Sequence, residues 1–302
     1  MKKTITAALA AWLAIAAMPT CAQTAAEAFP YPTVPDTLHT PETRAQYVMR
    51  HYWDRFDFAD TTLLHRPEIT EQGFANFADL MPRIAPATAA MGIRTFADRL
   101  YATGSDTSKE YFADLVDRYL GQNDSPLHND VLHTQFLDAM ADSKFASAAE
   151  RTRNQYMARN LRKNMPGSVA ADFAYATADG TLHRMHDFQA TYTLLYIYDP
   201  DCHNCHDTAR QLEQTGLFTP DARCRVLAVY PYDDTERWRQ TAPHFPPHWT
   251  DTYSPGGQLI ADDTYYIKQM PAIYLLDSQK RVVLRNPTIS TIKETLKQQE
   301  HM

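Results

Sequence analysis

Thr191-Tyr-Thr-Leu-Leu-Tyr-Ile-Tyr-Asp-Pro-Asp-Cys-His-Asn-Cys-His206 is the stretch whose reading decides the fold. From Thr191 to Tyr198 the residues are β-branched, aromatic or leucine, with no charge among them, and read as a buried strand. Asp199-Pro200-Asp201 cannot extend that strand, since proline brings no N–H to a ladder and aspartate favours turns. Cys202-His203-Asn204-Cys205 then opens a helix. A cysteine at a helix N-terminus sits beside unsatisfied backbone N–H groups and at the positive end of the dipole, and both favour thiolate over thiol. Two intervening residues let Cys205 close a small disulfide ring. The expected chemistry is attack by Cys202 on a substrate disulfide, followed by resolution of the mixed disulfide by Cys205.

A second block, Tyr266-Ile-Lys-Gln-Met-Pro271-Ala-Ile-Tyr-Leu-Leu-Asp277-Ser-Gln-Lys-Arg-Val-Val-Leu-Arg285, follows further along. Together the two blocks resemble the active site and the closing hairpin of thioredoxin-fold proteins. The resemblance implies an α/β thioredoxin-like fold, a mixed sheet flanked by helices. It also implies that Pro271 is a cis-proline facing the Cys202–Cys205 pair and that Met270 offers backbone hydrogen bonds to a bound peptide. The order of elements, strand–helix–strand followed by a hairpin and a helix, agrees with that class and is similar to the extracytoplasmic TlpA-type group.

The departures from the family are specific. Asp201 stands where thioredoxin has tryptophan, and His203-Asn204 replaces its Gly-Pro. Tyr196 occupies the place of its buried acid, and the sequence offers no obvious replacement for that base. His203 and His206 join the helix dipole in favouring a Cys202 thiolate, whereas Asp199 and Asp201 oppose it, so the direction of electron flow is left open. Other chemistries compete. Cys202-His203-Asn204-Cys205-His206 is formally a c-type haem attachment motif. Cys202, Cys205, His203 and His206 hold donors for zinc or copper, crowded within five residues of one another. A peroxiredoxin would need Thr or Ser where Asp199 stands. A redox-inert thioredoxin scaffold acting only as a binding module is the remaining alternative. The favoured reading is a thiol–disulfide oxidoreductase with no metal and no cofactor beyond its own cysteines.

The first residues carry Lys2-Lys3, an apolar run from Ile5 to Met18, and small residues around Thr20-Cys21-Ala22-Gln23. That pattern is expected of a secretory signal peptide spanning residues 1–22, with the mature chain in the periplasm or cell envelope. Cys21 leaves a lipid-anchored alternative open. The 302 residues, 44% hydrophobic with a formal net charge of −7, suffice for two domains and are not basic enough to suggest nucleic acid. Expected partners are protein disulfides or dithiols and a redox partner in the envelope. Besides Cys21, Cys202 and Cys205 there is only Cys224, too few for a structural disulfide framework. Cys224 begins Cys224-Arg-Val-Leu-Ala-Val-Tyr230, a central strand in which it serves as a small buried hydrophobe.

Ahead of this lies a different pattern. Thr40-Pro41-Glu42 starts a helix, with the cap followed by proline at the first helical position. Periodic apolar residues predict further helices over 71–81, 85–103, 108–120, 129–146 and 149–163. An all-α N-terminal domain over 23–165, joined near Pro166-Gly167 to a thioredoxin-like domain over 166–302, is the expected organisation. His51-Tyr-Trp-Asp-Arg-Phe-Asp-Phe58, Ile69-Thr-Glu-Gln72, Asn123-Asp-Ser-Pro-Leu-His-Asn-Asp130 and Lys163-Asn-Met-Pro-Gly167 resemble the blocks of bacterial envelope proteins that place an uncharacterised helical domain before a thioredoxin-like one. His51, Trp53, Asp54 and Asp57 could be taken for a site, but an aromatic face packing on its neighbours explains them better. In the second half, strands are expected over 171–177, 182–185, 192–198, 226–230, 272–277 and 281–285. Helices are expected over 203–215, 234–241, 262–269 and 290–299.

Overall fold

The computed structural model describes residues 28–219, 221–241 and 245–300. The expected signal segment and Cys21 lie outside the described residues. Six α-helices fill the first half: α1 (Pro41–His51), α2 (Thr70–Leu80), α3 (Pro86–Thr103), α4 (Asp106–Val116), α5 (Asp130–Asp142) and α6 (Ala148–Leu161). Their starts follow local chemistry. Thr40, Ser105 and Asn129 each accept a backbone N–H at an N-terminus, and Ser147 with Glu150 forms a reciprocal capping box at α6.

What holds these helices together is aromatic packing. Trp53 is fully buried and meets the rings of Phe29, Tyr52, Phe56, Phe58, Phe77, Phe96 and Phe112 at centroid separations from 5.1 to 5.7 Å. Gly73 gives Phe29 its seat, since a Cβ there would lie 2.1 Å from the Phe29 ring. His51 and Asp54 are on the surface, 2.6 Å apart, with Arg99 bonded to the same carboxylate. Trp53 is therefore core, and its neighbours His51 and Asp54 form an ordinary surface ion cluster.

The second half is a seven-stranded mixed sheet in the order β2-β1-β5-β4-β3-β6-β7. Its strands are β1 (Ala174–Ala176), β2 (Leu182–Arg184), β3 (Tyr192–Ile197), β4 (Cys224–Tyr230), β5 (Thr250–Tyr253), β6 (Ala272–Leu276) and β7 (Val282–Arg285). β3, β4 and β5 run parallel, while β6 lies antiparallel to β3, so β3 is a central strand. Its residues alternate between two cores, as a pleat requires. Leu194, Tyr196 and Tyr198 face α7 (His203–Gln214), α8 (Thr235–Thr241) and α10 (Ile289–Glu300), whereas Leu195 and Ile197 face Phe173, Met185, Phe188, Leu259 and Tyr265.

Two expectations fail. No helix forms over 262–269: the short α9 (Gln258–Ala261) precedes it, and Asp263 turns away at φ 48°. The following backbone is taken by the first half, with Lys163 Nζ donating to the Asp263 carbonyl and Asn164 Nδ2 to that of Thr264 at 2.9 Å. Strand β5 was not expected, because Thr250-Asp-Thr-Tyr253 is short and polar, and only pairing with β4 makes it a strand. Helix α1 also ends at His51, after which the chain turns through the aromatic cluster.

The two halves meet along this same segment. Arg285, nearly buried, reaches from β7 to both carboxylate oxygens of Asp130 and to the Leu161 carbonyl. Tyr266 packs against Leu137, Ala158 and Leu161. Replacing Trp53 by alanine removes the central ring of the helical core. The expected cost is about 3–5 kcal/mol in equilibrium denaturation, a large share of a typical domain's margin. A loss below about 1 kcal/mol would contradict that assignment.

Candidate functional site

The candidate site lies where β3 gives way to α7. After Tyr198 the chain reverses through Asp199, whose side chain accepts the Asp201 N–H at 2.9 Å and whose carbonyl accepts the Cys202 N–H at 3.0 Å. Cys202 is the N-cap of α7. Its carbonyl accepts the N–H groups of Cys205 and His206, and its sulfur accepts the Cys205 N–H at 3.3 Å. A helix N-terminus needs such an acceptor, and a cysteine supplies one only with sulfur, which leaves that sulfur on a donor-rich, half-exposed corner.

Opposite stands the start of β6. Met270–Pro271 is a cis peptide bond, and the Met270 carbonyl accepts from Cys202 Sγ at 3.5 Å and from Asn204 Nδ2 at 3.2 Å. Cys202, Cys205, Met270 and Pro271 are thus brought together. Cys205 lies one turn in and is buried, and its thiol is pushed well above the ordinary range by burial and by its hydrogen bond to Cys202. Both cysteines are free thiols in this structure.

The four charged or imidazole neighbours divide. Asp199 and Asp201 do not stand as bare charges beside the sulfur. Arg237, from α8, donates to Asp199 Oδ1 at 2.8 Å and to Asp201 Oδ2 at 2.6 and 2.9 Å. His203 is exposed and pairs with Asp207 at 3.2 Å, and His206 places Nε2 2.6 Å from the Pro200 carbonyl. His206 therefore ties the turn to the helix. Among the described residues no group of three or more His, Cys, Asp or Glu side chains is arranged to hold a metal ion.

Several contributors could not be read from spacing. Asn204 is one, and Arg237 is another, because it arrives from a helix more than thirty positions on. A third is Asp251 on β5. Tyr198 donates its hydroxyl to Asp251 Oδ1 at 2.7 Å, and Trp238 Nε1 lies 3.0 Å from the Tyr198 oxygen. Tyr196, in place of the expected acid, instead donates to the Cys205 carbonyl. The only signal for Asp251 was an acid two residues beyond a buried tryptophan, Trp249, in a stretch with no recognisable period. Far from this site, Cys224 opens β4 as a buried thiol, pushed up to about 12 by burial.

A model for a domain of unknown function (DUF5106) matches residues 3–164. The chain belongs to that family. It is also similar to a thioredoxin-like protein from Bacteroides caccae, at 32% identity over 89% of this chain and 98% of that one, with a TM-score of 0.72. A conserved protein of unknown function from Bacteroides fragilis is 35% identical over 44% of this chain and 98% of its own, with a TM-score of 0.42. The C-terminal domain of an uncharacterized Bacteroides fragilis protein is 29% identical over 44% and 97%, with a TM-score of 0.43. No curated protein matches. This member of the DUF5106 family thus joins a helix-rich first half to a thioredoxin-like second half.

Burial raises the Asp251 carboxyl from 3.8 to about 6, against the hydrogen bonds of Tyr198 and Trp238. The folded carboxyl holds its proton more tightly than the unfolded one. Its contribution to stability is therefore full below the unfolded value and is lost as pH rises through about 6. Asp251→Asn keeps an acceptor for Tyr198 and removes the titration. Denaturant unfolding should show wild type losing on the order of 2 kcal/mol relative to this variant between about pH 4 and pH 7.5. A pH-independent difference would rule out the shift.

Proposed function

We propose that this protein is a thiol–disulfide oxidoreductase of the cell envelope, similar to TlpA-type proteins, that exchanges disulfides with protein substrates through Cys202 and Cys205. The observation that carries the reading is the single corner at which a half-exposed Cys202 sulfur caps α7 and faces the Met270 carbonyl at 3.5 Å, with Cys205 buried one turn behind.

In the reducing direction, Cys202 as thiolate attacks one sulfur of a substrate disulfide. A Cys202–substrate disulfide forms, the substrate S–S bond breaks, and the departing substrate thiolate takes a proton. Cys205, as thiolate, then attacks Cys202 Sγ, releasing the second substrate thiolate and leaving the Cys202–Cys205 disulfide. Two electrons pass from the cysteine pair to the substrate; the reverse sequence oxidises a substrate dithiol.

The environment supports this order. The Cys202 charge is one of the causes that raise the Cys205 thiol. When Cys202 is tied up in a mixed disulfide that charge is gone, so Cys205 ionises more readily at the stage where its attack is needed. Arg237 offsets the two aspartates that would otherwise repel a sulfur anion. The haem reading is disfavoured by His206, whose Nε2 is engaged at the Pro200 carbonyl.

Trapping tests the assignment. Cys205→Ser expressed in the envelope should accumulate mixed disulfides with other proteins, released by reductant, while Cys202→Ser should accumulate few. Limiting alkylation of the reduced wild type should label Cys202 before Cys205. Equal trapping by both variants, or Cys205 labelled first, would reverse the roles, and no adducts with inert thiols would leave a redox-inert binding module.

A further inference from the structure

We propose that the helix-rich half is a positioning element of the thiol site: Asp117, acting through Lys268, holds the segment that presents the Met270 carbonyl to Cys202. The proposal rests on the oxidoreductase reading for its meaning, and its mechanical part stands without it.

The segment from Tyr265 to Met270 is short of supports of its own. Among the described residues none of its six members makes a backbone–backbone hydrogen bond outside helices and strands, and it belongs to neither kind of element. Side chains must therefore fix its course. Tyr265 is buried and donates its hydroxyl to the Ala171 carbonyl at 2.7 Å, which anchors the beginning to the sheet half. Lys268 is the charged anchor at the other end, two residues before Met270, and its Nζ is bonded to Asp117 Oδ2.

Asp117 suits this task. It opens the short π-helical segment (Asp117–Gly121) that follows α4. Its Oδ1 is buried and has no hydrogen-bond partner among the described residues, so the carboxylate depends on Lys268. His133 lies 4.0 Å from that oxygen with both ring nitrogens buried and unpartnered, and burial lowers it to about 4. At that distance it makes no hydrogen bond to the carboxylate, which leaves Lys268 as the bonded partner. On the far side of Pro271, Arg285 locks β7 to Asp130, and the adjacent Asn286 pairs with Ile273 through both backbone and side chain. The helical half thus holds the Met270–Pro271 corner from both flanks. A cavity of about 440 Å³ bordered by Met270, Lys268 and Tyr265 opens beside this corner and gives a polypeptide chain room to lie along it.

The test is a double-mutant cycle on the full chain with Asp117→Asn, Lys268→Gln and the two combined, and with Lys268→Arg as the conservative control. Backbone NMR order parameters over residues 265–270 and the KM and kcat for reduction of insulin disulfides, with dithiothreitol recycling the dithiol, are the readouts. Each neutralising variant should lower the order parameters of that segment and raise KM roughly threefold, the scale of one partly exposed ion pair. The combination should be no worse than either alone, and Lys268→Arg should match wild type. Unchanged order parameters, or effects that simply add, would overturn the proposal. If wild type fails to reduce insulin the oxidoreductase reading falls, and the order-parameter cycle alone still decides whether Asp117 and Lys268 hold the segment.

Discussion

A central strand that ends in a helix creates one demand: the first N–H groups of the helix must find acceptors where the chain leaves the sheet. Here the demand falls on Cys202, which meets it with its sulfur and with its carbonyl. The same demand makes the sulfur accessible, because an N-cap lies outside the helix barrel and beyond the buried end of β3. Cys205, one turn later, has to point back into the core beside Tyr196 and Ala209. Two chemically identical side chains are thus given opposite environments by one turn of helix. Pairing of β6 with β3 then brings Met270 opposite the cap. A half-exposed sulfur, a shielded sulfur and a backbone carbonyl facing the cap all follow from where that strand stops.

Electrostatics at this corner come from distant parts of the chain. Arg237 sits on α8, and without it Asp199 and Asp201 would place two unpaired negative charges beside the N-cap turn. Asp251 enters through β5, and Tyr198 links it to the end of the very strand that precedes the turn. The first half adds the clasp around Tyr265–Met270. Buried Arg285 is held by a bidentate carboxylate and by backbone carbonyls, the company a charge removed from water requires.

How much could be read from the residues depends on how local the cause is. The run Tyr192–Tyr198, the turn Asp199–Asp201 and the helix from His203 declare themselves because composition and periodicity act over a few residues. Six helices of the first half were legible for the same reason, with Thr40 as the one cap read in advance, while the caps Ser105 and Ser147 lie ahead of the starts expected at 108 and 149. Strand β5 was not, since four polar residues become a strand only when β4 supplies partners. The helix expected over 262–269 failed because Lys163 and Asn164, a hundred positions away, take the carbonyls that would have begun it. Arg237, Asn204 and Asp251 were invisible as site residues for a like reason, being assembled by the fold. The stretch around Trp53 showed the converse, where a tempting cluster of His, Trp and Asp resolves into a buried ring and a surface ion pair.

The central claim, that the corner at Cys202 is a reversible redox pair, is tested most directly by equilibrating protein lacking residues 1–22 across a graded series of thiol–disulfide buffers, quenching, and counting alkylated cysteines by mass. A single two-electron transition is expected, in which Cys202 and Cys205 lose their thiols together while buried Cys224 stays a thiol throughout. Cysteines that remain thiols across the whole range, or that form separate adducts with the buffer thiol without ever joining to each other, would contradict it.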